Sequence, residues 1–139
     1  MPVRIGVAED DSNARDVWIR ACNRLEVEAF APVCTSTEQF SKAFDVELED
    51  PGTYFDVFVL DLNLNGDPAG GKNLWNLLHD SKKARLGQLL VSSQRVDGEE
   101  LSEFVERWDA ELCSGYDLSH KVAKLADVLR KLKLDFQEP

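Results

Sequence analysis

The chain alternates between short, unbroken apolar runs and longer stretches in which apolar residues return every three or four positions. The unbroken runs are Val57–Leu60 and Leu89–Val91; Val3–Ala8 is apolar with Arg4 its one charge, and weaker runs lie at Val27–Val33 and Ala110–Cys113. A short aliphatic and β-branched run without polar alternation predicts a strand buried on both faces, as in a parallel sheet covered by helices. Pro32 lacks the N–H that a central strand needs, which sends Val27–Val33 to a sheet edge.

The periodic stretches predict five helices. Ala14, Val17, Trp18, Ala21 and Leu25 share one stripe behind a cap at Ser12 or Asn13; Phe40, Ala43, Phe44 and Leu48 share another, capped within Thr35–Glu38 and ended by Pro51-Gly52. The turn-rich loop Asn65–Gly71 leads into a third helix with Leu74, Leu77 and Leu78 inward, Trp75 flanking and a basic end at Lys82-Lys83-Ala84-Arg85. Asp97 caps a fourth, with Leu101, Phe104, Val105 and Trp108 on its apolar face and Glu99, Glu100, Glu103, Glu106 and Arg107 toward solvent. Asp117 or Ser119 starts a fifth, carrying Val122, Leu125, Ala126, Leu129 and Leu132 inward. The tail Asp135–Pro139 is expected to fray.

Strands alternating with helices in this way predict an α/β fold: a flavodoxin-like (βα)5 doubly wound parallel sheet with strand order 2-1-3-4-5 and right-handed crossovers. No repeat or linker interrupts the alternation, so residues 1–139 read as one domain. Ligands of such sheets bind beyond the carboxyl ends of the strands. Glu9, Asp10 and Asp11 follow the first strand there, Asp61 ends the third, and Ser92, Ser93 and Gln94 follow the fourth. Taken alone, Asp61 reads as the start of a turn.

Composition narrows the setting. The 26 acidic against 16 basic residues give a formal charge of −10, which repels nucleic-acid phosphates and anionic lipid. The last helix holds the one basic concentration. No apolar stretch is long enough for a membrane span or a signal segment, and a cytoplasmic location follows as the expectation. Cys22, Cys34 and Cys113 are odd in number and widely spaced, which suits core residues rather than disulfides or a metal site.

With strands 1 and 3 adjacent, Glu9, Asp10 and Asp61 gather in one cleft. Three carboxylates cannot all stay ionised there without a counter-cation. Hard oxygen donors on an open site suit Mg²⁺, and a carboxylate can also act as a nucleophile toward phosphorus. Cation and nucleophile together describe acceptance of a phosphoryl group.

These residues, in this order across a βα repeat, resemble the receiver domain of bacterial two-component response regulators. The resemblance covers nearly the whole chain and rests on Ala8-Glu9-Asp10-Asp11, Asp61-Leu62-Asn63-Leu64, Ser92 and the segment from strand 5 into helix 5. It implies that Asp61 is the phosphoacceptor and that Glu9, Asp10, Asp61 and the Asn63 backbone carbonyl hold Mg²⁺. Ser92 becomes the switch hydroxyl. Asn63 and Gln94 flank the path of the hydrolytic water, where two amides either orient that water or simply face solvent. The implied donor is a histidine kinase or phosphotransfer protein. The implied downstream contact is a protein partner on the face of helix 4, strand 5 and helix 5, where acids (Glu99, Glu103, Glu106, Glu111) meet bases (Lys121, Lys124, Arg130, Lys131, Lys133). Such a divided face suits charge-steered docking, and ordinary solvated helices would look the same.

The sequence departs from the family at Ser114, which stands at the lysine position, with Gly115 where a proline follows. Glu111 stands at the aromatic switch position, and Asn65 replaces a common proline in a loop one residue longer, so a reshaped Asp61 loop is expected. Two signalling readings follow: a phosphoacceptor receiver, or a pseudo-receiver that kept the fold as an interaction module without regulated phosphorylation. An enzyme is not expected. Haloacid-dehalogenase-like phosphohydrolases carry their DxD motif after the first strand, whereas Asp61-Leu62-Asn63 lies mid-chain. A flavodoxin-like cofactor binder would need a Ser/Thr/Gly-rich phosphate loop where this chain has acids.

Overall fold

The predicted strands all form, and the computed structural model, which describes residues 2–78, 80–93 and 99–139, joins them in one sheet. Strands β1 (Arg4–Ala8), β2 (Glu28–Phe30), β3 (Val57–Asp61), β4 (Gln88–Ser92) and β5 (Glu111–Cys113) pair in parallel in the order β2-β1-β3-β4-β5. The helices are α1 (Ser12–Arg24), α2 (Thr37–Glu47), α3 (Gly70–Leu77), α4 (Asp80–Ala84), α5 (Glu99–Arg107) and α6 (Leu118–Lys131). The architecture is the flavodoxin-like one that the alternation of patterns predicts.

Alternate residues of each strand face opposite layers. Ile5, Val7, Val57, Val59 and Leu90 pack against Trp18, Ala21 and Leu25 at α1 and against Val122, Leu125 and Leu129 of α6. On the other side Phe58 and Leu60 meet Phe40 and Phe44 of α2, Leu74 and Trp75 of α3, and Phe104 of α5. This second layer is aromatic: Phe44 and Phe58 lie edge to face at 4.9 Å, and Phe58 contacts Trp75 at 5.8 Å. All three cysteines are free and buried, as expected of core residues. Among the described residues no helix is long and apolar enough to cross a membrane.

Several boundaries differ from the sequence reading for identifiable reasons. Asp11, not Ser12 or Asn13, caps α1: its Oδ1 accepts the N–H groups of Asn13 at 2.8 Å and Ala14 at 3.3 Å. Strand β2 shrinks to three residues and excludes Pro32. The third predicted helix breaks in two, giving α3 and α4, so the predicted fourth and fifth helices are α5 and α6. Its face also turns. Gly70, Gly71, Leu74, Trp75 and Leu78 point inward, while Leu77 is 51% exposed, because the glycines press the first turn of α3 onto the Asp61 loop and fix its rotation.

Arg85, beyond α4, donates from Nη1 to the carbonyls of Leu48, Asp50 and Thr53 and so satisfies the end of α2. Leu132, expected inward, is 38% exposed, and Val128 fills the core instead. Nor does the tail hang free: Gln137 N–H donates to the Leu25 carbonyl at 2.9 Å, Arg130 forks onto Glu138, and Phe136 packs on the α1–α6 layer. Asp97, the expected cap of α5, lies outside the described residues.

The close approach at α3 sets a test. A Cβ on Gly71 would lie 2.3 Å from the Asp61 carbonyl oxygen and 2.5 Å from Leu62 Cα, both backbone atoms with little room to give. Gly71→Ala should therefore destabilise the protein by about 1–3 kcal/mol in urea unfolding, as overpacked sites do. Gly52→Ala, whose Cβ meets only the Asp50 side chain at 3.5 Å, should stay near wild type.

Candidate functional site

The register of the central strands decides what meets at the carboxyl edge of the sheet. Ala8 lies beside Leu60, and Asp61 lies beside Ser92. One residue past Ala8, Glu9 comes level with Asp61. Glu9, Asp61 and Ser92 continue the alternation of Val7, Val59 and Leu90, which puts them on the α1–α6 side of the sheet.

One oxygen from each of Glu9, Asp10 and Asp61 lies within 4.8 Å of the other two. Glu9 is only 6% exposed, whereas Asp10 and Asp61 are half-buried. Burial lifts the Glu9 carboxyl to about 9; its hydrogen bond to Asp61 and the charges of Asp61 and Asp10 push the same way, against the Asp11 N–H. Asp61 is raised as well, chiefly by burial, while its bonds to Glu9 and to the Asn63 N–H hold it back. Without a cation, burial and crowding therefore favour the protonated form of the Glu9–Asp61 pair. Asp11 stays out of the group because its side chain caps α1.

Backbone donors organise the remaining oxygens. Asn63 N–H donates to Asp61 Oδ1 at 3.0 Å, and Asn65 N–H donates to Asp10 Oδ2 at 2.8 Å. In the Asp61 loop Asn65 has φ +56°, a left-handed value closed to proline. The donor set fits a divalent cation. It consists of hard carboxylate oxygens on an accessible edge, and the crowding that raises two of their pKa values is what a cation would relieve.

The other predicted residues are distributed as follows. Ser92 is half-buried and level with Asp61, and Asn63 is exposed beside it. Gln94 lies outside the described residues. Ser114 is exposed, one residue beyond β5. Glu111 is half-buried and accepts from Lys131 Nζ at 2.8 Å, with Lys124 Nζ at 3.6 Å; the Lys131 bond holds its carboxyl below the ordinary range. It meets the cost of its position by pairing with α6.

Sequence reasoning missed the part played by Lys121. Its side chain is buried, at 4% exposed, and Nζ donates to the carbonyls of Gly115 at 3.2 Å and Tyr116 at 3.1 Å while lying 5.3 Å from the Trp18 ring centroid. The signal was present: Lys121 stands four residues before Leu125 on the buried stripe. Most of the basic residues expected to face partners from this helix are committed within the chain. Lys124 and Lys131 pair with Glu111 and Asp127, and Arg130 pairs with Glu138.

No protein-family model matches the chain, and no curated protein matches it. Solved structures do. The phosphorylated cyanobacterial phytochrome response regulator RcpA superposes with a TM-score of 0.70 at 14% identity, covering 98% of this chain and 99% of that one. A CheY-like response regulator receiver domain protein from Methanospirillum hungatei JF-1 gives 0.68 at 14% identity, covering 96% and 98%. DrrB, an OmpR/PhoB homologue from Thermotoga maritima, gives 0.67 at 17% identity, and 95% of this chain covers only 54% of it. The chain thus spans about half the length of DrrB. At these identities the likeness is one of architecture: the chain has the fold of response regulator receiver domains.

Proposed function

We propose that the protein is a phosphoacceptor receiver domain of a two-component phosphorelay, phosphorylated on Asp61. The observation that carries this reading is the group formed by Glu9, Asp10 and Asp61, three carboxylates gathered at the carboxyl edge of β1 and β3 with Ser92 level beside them. Glu9, Asp10 and Asp61, with the Asn63 carbonyl, are the residues to hold Mg²⁺, which when bound supplies positive charge beside phosphoryl oxygens. An Asp61 carboxylate oxygen forms the new P–O bond as the P–N bond of a donor phosphohistidine, protonated on its other ring nitrogen, breaks and the histidine leaves as neutral imidazole. Ser92 offers its hydroxyl to the phosphoryl group. Asn63 and Gln94 orient the water that later removes it. The donor is a histidine kinase or phosphotransfer protein, and a downstream protein reads the state on the face of α5, β5 and α6.

A second reading, an interaction module without regulated phosphorylation, is favoured by specific observations. Ser114 supplies no ammonium, Lys121 is held by two loop carbonyls, and Glu111 is tied to Lys131 rather than free to switch. A small phosphodonor with Mg²⁺ separates the two. The first predicts an adduct of one phosphoryl group by mass spectrometry, labile to base and to hydroxylamine as an acyl phosphate is, and absent from Asp61→Ala. No adduct from either a small donor or a histidine kinase favours the second.

The cation is tested by proton linkage. Glu9 and Asp61 both bind protons more tightly in the folded, cation-free protein than in the unfolded chain. The stability this contributes is full below the ordinary glutamate value of 4.5 and is lost as pH rises toward about 9. In chelator, Tm should fall across that window. Glu9→Gln should flatten the fall, and Mg²⁺ should raise Tm most at its alkaline end. A flat wild-type profile would contradict the crowding on which the site depends.

A further inference from the structure

Asp10 stands beside two other carboxylates on an accessible edge, one oxygen of each of the three lying within 4.8 Å of the others. A flexible carboxylate in that position turns toward water unless something holds it. The holder among the described residues is a backbone group 55 residues away in sequence, the N–H of Asn65, at 2.8 Å from Asp10 Oδ2. A donor facing an ionised carboxylate makes one of the stronger hydrogen bonds available to a protein.

The direction of that N–H is built into the loop. Asn65 at φ +56° and Gly66 at φ +71° are two successive left-handed residues, the backbone of a type I′ turn. Asp67 N–H closes the turn onto the Leu64 carbonyl at 3.0 Å, and Leu64 and Asp67 form an antiparallel bridge. Asparagine followed by glycine is the pair such a turn prefers. Leu64 anchors one side in the core. On the other, Gly70 N–H donates to the Asp67 carbonyl, and Gly70 lies so close that a Cβ would come within 2.6 Å of the Leu64 carbonyl oxygen. The closing bond leaves the Asn65 N–H free to point outward, toward β1.

We infer that Asn65 is a positioning residue for the cation site: its left-handed backbone fixes the Asp10 carboxylate, with Oδ2 bonded to the N–H and Oδ1 left for the cation. The inference rests on the proposed cation reading. It makes the Asn65-Gly66 turn, rather than a side chain, the support of the ligand that β1 alone would leave unrestrained.

Mn²⁺ binding followed by electron paramagnetic resonance tests it, with no dependence on phosphorylation. Asn65→Gly keeps both the N–H and the left-handed conformation; Asn65→Pro removes the first and forbids the second. The glycine variant should bind Mn²⁺ within about threefold of wild type, and the proline variant should lose roughly 10-fold or more, the usual effect of removing a group that orients a ligand. Equal affinity in all three proteins would overturn the inference while leaving the cation reading intact. Failure of the wild type to bind Mn²⁺ would overturn the cation reading, and the inference with it. Should Asn65→Pro not fold, amide hydrogen exchange of the wild type decides: the Asn65 N–H should be protected and should lose that protection in Asp10→Ala. A fast-exchanging Asn65 amide would refute the clamp.

Discussion

The parallel register of β1, β3 and β4 is the constraint from which the rest of the molecule follows. Because Ala8, Leu60 and Val91 stand level, the residues after them emerge together, and carboxylates from distant parts of the chain are forced into one small volume. Mutual repulsion there has to be offset. The chain offsets part of it with backbone N–H groups aimed at Asp61 and Asp10, and the remaining crowding favours protonation of the Glu9–Asp61 pair. Those donors in turn need a tightly folded loop, and the loop needs α3 pressed against it, which only glycine at 70 and 71 permits.

The layers and the strand order were legible from pattern alone, since unbroken runs at Val57–Leu60 and Leu89–Val91 fit nothing but covered strands, and Pro32 marked an edge. The members of the acid group were equally legible, because they sit at the ends of those runs. What sequence did not reveal depended on geometry beyond one element. The inward face of α3 is set by two glycines that carry no hydrophobic signal, so Leu77 was assigned to the wrong side. Ser12, Asn13 and Asp11 are all good caps, and only the direction of a side chain separates them. The tail looked loose because its anchors, Leu25 and Arg130, are remote in sequence or in character. The turn at Asn65-Gly66 carried a recognisable dipeptide, but its bond to Asp10 spans two strands and belongs to no local pattern.

Charge distribution separates the two ends of the sheet's carboxyl edge. The β1–β3 side concentrates negative charge with no cationic side chain bonded to Glu9, Asp10 or Asp61 among the described residues. The β5 side is arranged differently, with Lys121 bound to carbonyls and Glu111 enclosed by α6 lysines. A rearrangement of β5 at Glu111 would have to break ion pairs already formed with α6.

The tryptophans divide between the two layers. Trp18 lies in the α1–α6 layer with the Lys121 ammonium against its ring. Trp75 and Trp108 lie in the other, edge to face at 5.7 Å, with Lys83 Nζ 4.8 Å from the second ring. Two indoles held that close couple their electronic transitions, so the pair has a near-ultraviolet circular dichroism signature that depends on the spacing of α3 and α5. Trp18 has no indole neighbour among the described ring contacts and meets the Lys121 ammonium instead. The unlabelled chain therefore carries, in the Trp75–Trp108 pair, an intrinsic optical reporter of the α2–α3–α5 side of its sheet.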